Sequence, residues 1–209
     1  FIQNGIEIPI FMSVEGAKQL LAKKVGMELS LFKKKKILGT ITSLNKNSGI
    51  NYLIEASRIV IEKYKDVVFI VFGEGEYKDK IQELIIKNGL EKNFYLIGYV
   101  DHAKEYMKAF DIFVLPNIKH GLPYSIMEAG IANLPVISTS IGGVSDIVED
   151  MKSGILVQIK KPKELAYAIF FTLEHIKEAK QYGKNLRDKV ISKFTIQNML
   201  NNLYNIYSK

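Results

Sequence analysis

The segment from Asp111 to Gly130, DIFVLPNIKHGLPYSIMEAG, concentrates the residues best suited to chemistry. An apolar run, a loop holding Gly121 and Pro123, and a helical stretch follow one another, so the loop delivers a helix amino terminus to the space beyond the strand. Free backbone N–H groups at a helix start, with the helix dipole behind them, make a seat for a diphosphate. Gly121 lets the backbone come close to such a ligand. Glu128 stands about one turn into the helix, where a carboxylate can accept hydrogen bonds from a ribose diol. A strand, a glycine and a helix joined in this way also make a purely structural turn, and the residues alone leave both readings open.

Other signals are smaller. Gly73–Glu74–Gly75 follows an apolar run but lacks the third glycine of a dinucleotide fingerprint, so an oxidoreductase has no support and a simple turn is the first reading. Gly142–Gly143 allows either a close backbone approach to a ligand or plain turn chemistry. The histidines, His102, His120 and His175, are scattered and no Asp-x-Asp run occurs, so a divalent-metal phosphate clamp is not expected. No nucleophilic serine elbow is present.

The elements that must position these groups alternate in type. Short apolar runs at 37–42, 67–72, 93–97, 111–115, 135–138 and 154–158 predict six strands, and the longer intervals between them carry helical periodicity. Ile50, Leu53, Ile54, Ser57, Val60, Ile61 and Tyr64 share one helix face, and Ile81, Leu84, Ile85 and Leu90 mark a second helix ending near Gly89. Pro162 suits the first turn of another, with Leu165, Ala166, Ile169, Phe170 and Leu173 on one side, and two further helices fill 180–207. The opening residues hold an Asn4–Gly5 turn and a helix around 14–25, before a lysine run. The pattern predicts an α/β fold: a doubly wound, Rossmann-like parallel sheet of six strands flanked by helices, with a helical carboxyl terminus. Ligands of such sheets bind beyond the carboxyl ends of the strands, at the switch in strand order. The loops to search are therefore Ser43 to Gly49, Gly73 to Glu76, Gly98 to Asp101, Pro116 to Tyr124 and Ser140 to Gly143.

Bulk properties bound the rest. A chain of 209 residues with 47% apolar and 24% charged residues builds one sizeable core. No apolar stretch is long enough to span a bilayer, and no secretory leader opens the chain. The absence of cysteine excludes disulfides and thiol nucleophiles and suits a reducing compartment, so a cytoplasmic location is expected. The net charge of +7 suits nucleic acid, an anionic membrane surface or a phosphate-bearing small ligand. The densest basic run, Lys33 to Lys36, has no interleaved aromatics, which argues against single-stranded nucleic acid. It reads as a solvated linker, or as a patch drawn to acidic lipid at the inner face of the membrane. The chain begins at Phe1 rather than methionine, and residues 1–36 read as a lead-in segment from a domain upstream, with the Rossmann-like domain over 37–209.

The order of these pieces resembles the carboxyl-terminal domain of glycosyltransferase family 4, the donor-binding half of the GT-B architecture, over nearly the whole chain. The resemblance runs through Asn4–Gly5–Ile6, the helix start from Gly49 to Ala56, Gly73–Glu74–Gly75 and Gly98–Tyr99–Val100. It continues through Leu115–Pro116, Gly121–Leu122–Pro123, Glu128–Ala129, Pro135–Val136, Gly142–Gly143 and Gly154. It implies an enzyme of the hexosyltransferase type that takes a sugar from a UDP- or GDP-linked donor and passes it, with retained anomeric configuration, to a polysaccharide, lipid-linked or other glycoconjugate acceptor. Neither a metal nor a cofactor is implied. The acceptor contacts belong to an amino-terminal GT-B domain, without which this half is expected to be inactive. The resemblance places His120, Gly121, Leu122, Pro123 and Glu128 at the donor, with the Gly73–Glu74–Gly75 turn facing it. It also sets Tyr99 and Val100 beside the base, and Gly142 and Gly143 near sugar or phosphate.

Two departures qualify it. The family carries a pair of glutamates, and here the second is Glu128 while His120 holds the place of the first, which usually meets the donor sugar. An imidazole offers one donor and one acceptor in place of acceptors only. Relatives also set an arginine and a lysine after the first strand to neutralise the diphosphate; the resemblance puts Ser43 and Ser48 in those places at the donor, beside Gly49, and Lys46 between them either reaches the phosphates or is a solvent-exposed loop lysine. The departures leave open a degenerate, non-catalytic binding or partner subunit as the alternative function.

Overall fold

The computed structural model describes residues 4–119 and 121–207. Its elements run α1 (Val14–Lys24), α2 (Leu29–Phe32), β1 (Lys36–Ile41), α3 (Ile50–Lys63), β2 (Val67–Phe72), α4 (Lys78–Lys87) and β3 (Phe94–Gly98). A 3-10 helix (Ala103–Ala109) leads to β4 (Ile112–Leu115), α5 (Tyr124–Ile131), β5 (Val136–Thr139), α6 (Val144–Ile147) and β6 (Ile155–Val157). The chain then continues in helices, α7 (Pro162–Glu174), α8 (Ile176–Lys193) and α9 (Ile196–Tyr207).

The strands form one parallel sheet in the order β3-β2-β1-β4-β5-β6. This is the doubly wound, Rossmann-like arrangement that the apolar runs predict. Because a strand's side chains alternate in direction, each strand supplies two layers. In β2, Val68, Ile70 and Phe72 join α1, the 3-10 helix, α5 and α8 on one side, while Val67, Phe69 and Val71 join α3, α4 and α7 on the other. Both faces are covered, so β2 reads as an unbroken apolar run, VVFIVF, buried throughout.

Local chemistry sets the boundaries. Ser13 caps α1 by accepting from Gly16 N at 3.1 Å, and Pro162 occupies the first turn of α7. Gly49 precedes α3 in the left-handed region at φ 67°, and a β-carbon there would stand 1.9 Å from the Pro116 carbonyl oxygen.

One expectation changes. The Asn4–Gly5 pair does not turn: Ile6 N donates to Phe194 O at 2.8 Å, and Gly5 lies so close to Thr195 that a β-carbon would come within 2.3 Å of its carbonyl oxygen. Residues 103–109, for which the sequence predicts no element, form a 3-10 helix. The lysine run lies largely exposed between α2 and β1, with Lys33 beside Glu15, Lys35 beside Asp66 and Lys36 beside Asp111.

Candidate functional site

The chain passes from β1 outward to β2 and β3, then crosses back to β4, so the strand order reverses between β1 and β4. The loops that leave these two strands are fastened to each other. Thr42 Oγ1 donates to Asn117 Oδ1 at 3.2 Å and Ile118 N donates to Asn47 O at 2.8 Å, while Gly49 packs on the Pro116 backbone. The loop after β2 is laced in turn to the first, with Leu44 N donating to Glu74 O at 2.9 Å and Tyr77 N to Leu44 O at 3.0 Å. A β-carbon on Gly73 would stand 1.8 Å from Thr42 O, and one on Gly75 would stand 2.2 Å from Leu44 O. Only glycine permits these backbone seams.

Above the seams a cleft of about 310 Å³ opens at the carboxyl edge, lined by residues that include Thr42, Ser43, Gly73, Glu74, Tyr99, Val100 and Ala103. Ser43, Gly73, Glu74, Tyr99 and Val100, expected from the sequence at a donor, are thus brought to one wall. Tyr99 is 73% exposed and lines the cleft. Glu74 accepts from Lys78 Nζ at 2.9 Å and from Tyr99 N at 3.4 Å, and the Lys78 bond holds its carboxyl below the usual range.

The second part of the site is the start of α5. Pro123 occupies the cap position and supplies no side-chain hydrogen bond; Ile126 N donates to Pro123 O at 3.2 Å, while the Tyr124 and Ser125 N–H groups of this eight-residue helix have no acceptor among the described residues. Gly121 is exposed, and a β-carbon added to it would meet nothing within 4 Å. Its glycine answers no packing need of the protein, unlike Gly49 or Gly73. A β-carbon on Gly143 would lie 2.9 Å from Leu122 Cδ1, so the loop after β5 touches the loop after β4, and Gly142 beside it adopts φ 44°. Glu128 is mostly enclosed, at 19% side-chain exposure, and burial raises its carboxyl above the usual range while Lys104, 3.9 Å away, opposes that rise. Lys104 belongs to the 3-10 helix whose first residue, Ala103, lines the cleft, so the two parts adjoin.

Other expected residues lie apart. Ser48 is buried, and its hydroxyl donates to Asn45 O at 2.8 Å. Lys46 and Ser48 line a separate groove with Tyr52 and Tyr77, between α3 and α4. His120 lies outside the described residues. Sequence reasoning missed Lys104 and Asn117. Nothing in the residue string marks Lys104, whose partner is set by tertiary packing, whereas a polar Asn117 directly after an apolar strand was a usable signal.

A doubly wound parallel sheet with a cleft where β1, β2 and β3 end defines a Rossmann-like α/β domain. Residues 27–189 match the model of the family described as glycosyl transferases group 1, and the chain belongs to that family. It is 30% identical over 178 residues to the poly(ribitol-phosphate) alpha-N-acetylglucosaminyltransferase of Staphylococcus aureus (strain COL), covering 85% of this chain and 36% of that enzyme. It is 25% identical to the UDP-Gal:alpha-D-GlcNAc-diphosphoundecaprenol alpha-1,3-galactosyltransferase of Escherichia coli, covering 99% of this chain and 53% of that enzyme. Among solved structures, a point mutant of S. aureus TarM in complex with Fondaparinux, alpha-GlcNAc-glycerol and UDP superposes with a TM-score of 0.78 at 30% identity. That match covers 84% of this chain and 36% of that one. The chain therefore spans about a third to a half of the length of these relatives. No helix among the described residues is long and apolar enough to cross a membrane.

Proposed function

We propose that the chain is the donor-binding half of a retaining, family 4 glycosyltransferase of GT-B type, moving a hexosyl group from a UDP- or GDP-linked sugar to a polysaccharide, lipid-linked or other glycoconjugate acceptor. One observation carries this reading: Ser43, Gly73, Glu74, Tyr99 and Val100 share a single cleft that adjoins the uncapped start of α5. The UDP in the TarM complex and the UDP-Gal in the E. coli enzyme's name support the donor class.

In this reading the nucleoside lies along Tyr99 and Val100, and the ribose diol donates to the Glu128 carboxylate. The diphosphate meets the N–H groups behind Gly121, Leu122 and Pro123, and the sugar borders Gly142 and Gly143. When the glycosyl bond breaks, negative charge grows on the leaving diphosphate. Backbone dipoles already aimed at that position stabilise the charge without reorganising. Helix-end stabilisation takes the part of a cation, so the reaction needs neither metal nor cofactor from this half. An amino-terminal domain supplies the acceptor site, and a cytoplasmic place at the inner face of the membrane would suit a lipid-linked acceptor.

Titration calorimetry with UDP, GDP and ADP tests the donor site. One of them is expected to bind and to raise the unfolding temperature by mass action. Silence with all three in a folded sample sinks the proposal.

A second reading, a binding or partner subunit without turnover, is favoured by the loop after β1. Ser43 and Ser48 bring no charge there, and Lys46 lines the groove between α3 and α4. Turnover by the unmodified full-length parent would rule this reading out.

A further inference from the structure

At the opposite edge of the sheet, where β4 and β5 begin, a concavity of about 390 Å³ opens among α1, the 3-10 helix and α8. Five of its lining residues are cations: Lys18 from α1, Lys108 from the 3-10 helix, and Lys180, Lys184 and Arg187 from α8. The last three follow one another at four- and three-residue steps, which sets them on one helix face. That face is held in place by Gly183, where a β-carbon would stand 2.7 Å from the Leu134 carbonyl oxygen. The lysines thus project from a docked helix rather than from a loose loop.

Counter-charge is scarce there. Asp111 lines the same space, but its Oδ2 already accepts from Ile37 N at 2.8 Å, and its Oδ1 lies 3.7 Å from Lys36 Nζ. Asp188 is 3.8 Å from Arg187. Among the described residues, Lys18, Lys108, Lys180 and Lys184 have no carboxylate at ion-pair distance, and Lys108 instead faces the Phe11 ring at 5.3 Å.

Cations gathered around one hollow repel one another until an anion joins them, and a phosphate brings both the charge and the acceptor oxygens they lack. We infer that this concavity binds a phosphate-bearing anion, presented either free in solution or as a lipid headgroup, across the sheet from the cleft described above. The inference does not depend on the donor reading.

Inorganic pyrophosphate is titrated into the 209-residue chain with saturating UDP present, which removes any contribution from a donor site. In parallel the chain is sedimented with vesicles of phosphatidylglycerol or of phosphatidylcholine. The double variant Lys180→Glu/Lys184→Glu is compared with Lys163→Glu/Lys87→Glu, an equal charge change at exposed positions on α7 and α4. The α8 pair is expected to lose roughly tenfold or more in affinity while the control pair keeps it, with binding that weakens as salt rises. Pyrophosphate binding assigns a soluble ligand, and binding to phosphatidylglycerol vesicles alone assigns a headgroup. If neither binds, or if both double variants lose affinity equally, the inference is overturned. Should UDP itself fail to bind, the donor reading is left to the titrations with GDP and ADP, while the comparison of variants still reports on the concavity.

Discussion

Lys104 Nζ lies 3.9 Å from Glu128 Oε1, joining the 3-10 helix beside the cleft to the helix that starts behind Gly121. Burial lifts the Glu128 carboxyl above its ordinary range, and Lys104 only partly offsets it. A carboxyl with a raised folded pKa takes up protons more readily when folded. It therefore costs stability progressively as pH rises from the unfolded value through the folded one, and the full cost remains above that window. Glu128→Gln removes the cost. The variant is expected to unfold at a higher temperature than the parent at pH 7, with the difference closing as pH falls below the carboxylate range. Its nucleotide affinity moves the other way, by roughly ten- to hundredfold, because a charge-assisted hydrogen bond is lost. Melting curves across pH and calorimetry check the two halves, and a variant that is less stable at pH 7 contradicts the first.

Gly49 and Gly121 separate packing from binding. Alanine at 49 must hold φ 67° with its β-carbon 1.9 Å from Pro116 O, so urea unfolding should show a loss of about 2 kcal/mol or more. Alanine at 121 meets no protein atom and should unfold within about 0.5 kcal/mol of the parent. If a diphosphate sits against that backbone, Gly121→Ala nonetheless lowers UDP affinity.

Restoring cations after β1 should give unequal results. Ser43 is exposed and lines the cleft, so Ser43→Arg is expected to strengthen nucleoside-diphosphate binding by roughly tenfold without loss of stability. Ser48 is 3% exposed and bonded to Asn45 O, so Ser48→Lys should lower the unfolding midpoint. Equal, harmless gains from both would show that the loop is not built as described.

Tyr99 offers a contact surface that the protein leaves bare. Tyr99→Ala should leave denaturant stability within about 0.5 kcal/mol while reducing nucleotide affinity by roughly fivefold, the worth of one aromatic contact. Calorimetry on parent and variant measures it.

The sheet was legible because parallel strands buried on both faces leave unbroken apolar runs. The run expected at 67–72 is β2 itself, and the one at 111–115 begins one residue before β4. The segment 103–109 was not legible, since a 3-10 helix buries Tyr106, Met107 and Ala109 without a 3.6-residue period. The path of Gly5 was hidden for another reason: its partner, Thr195, stands at the far end of the chain. At the candidate site, the strand ends told where the loops emerge but not which way each side chain turns. Ser43 and Ser48 belong to one loop, yet the first lines the cleft and the second the α3–α4 groove. Lys104 and Glu128 meet only because the 3-10 helix and α5 lie side by side.

The glycine seams at Gly49, Gly73 and Gly75 have an evolutionary corollary. They make the platform out of main chain, whose shape does not depend on which side chains surround it. Substitutions at Ser43 or Tyr99 can then retune ligand preference one position at a time, with the foundation untouched. A lineage could exchange one donor for another without refolding, whereas any residue larger than glycine at a seam would break the platform and every specificity resting on it.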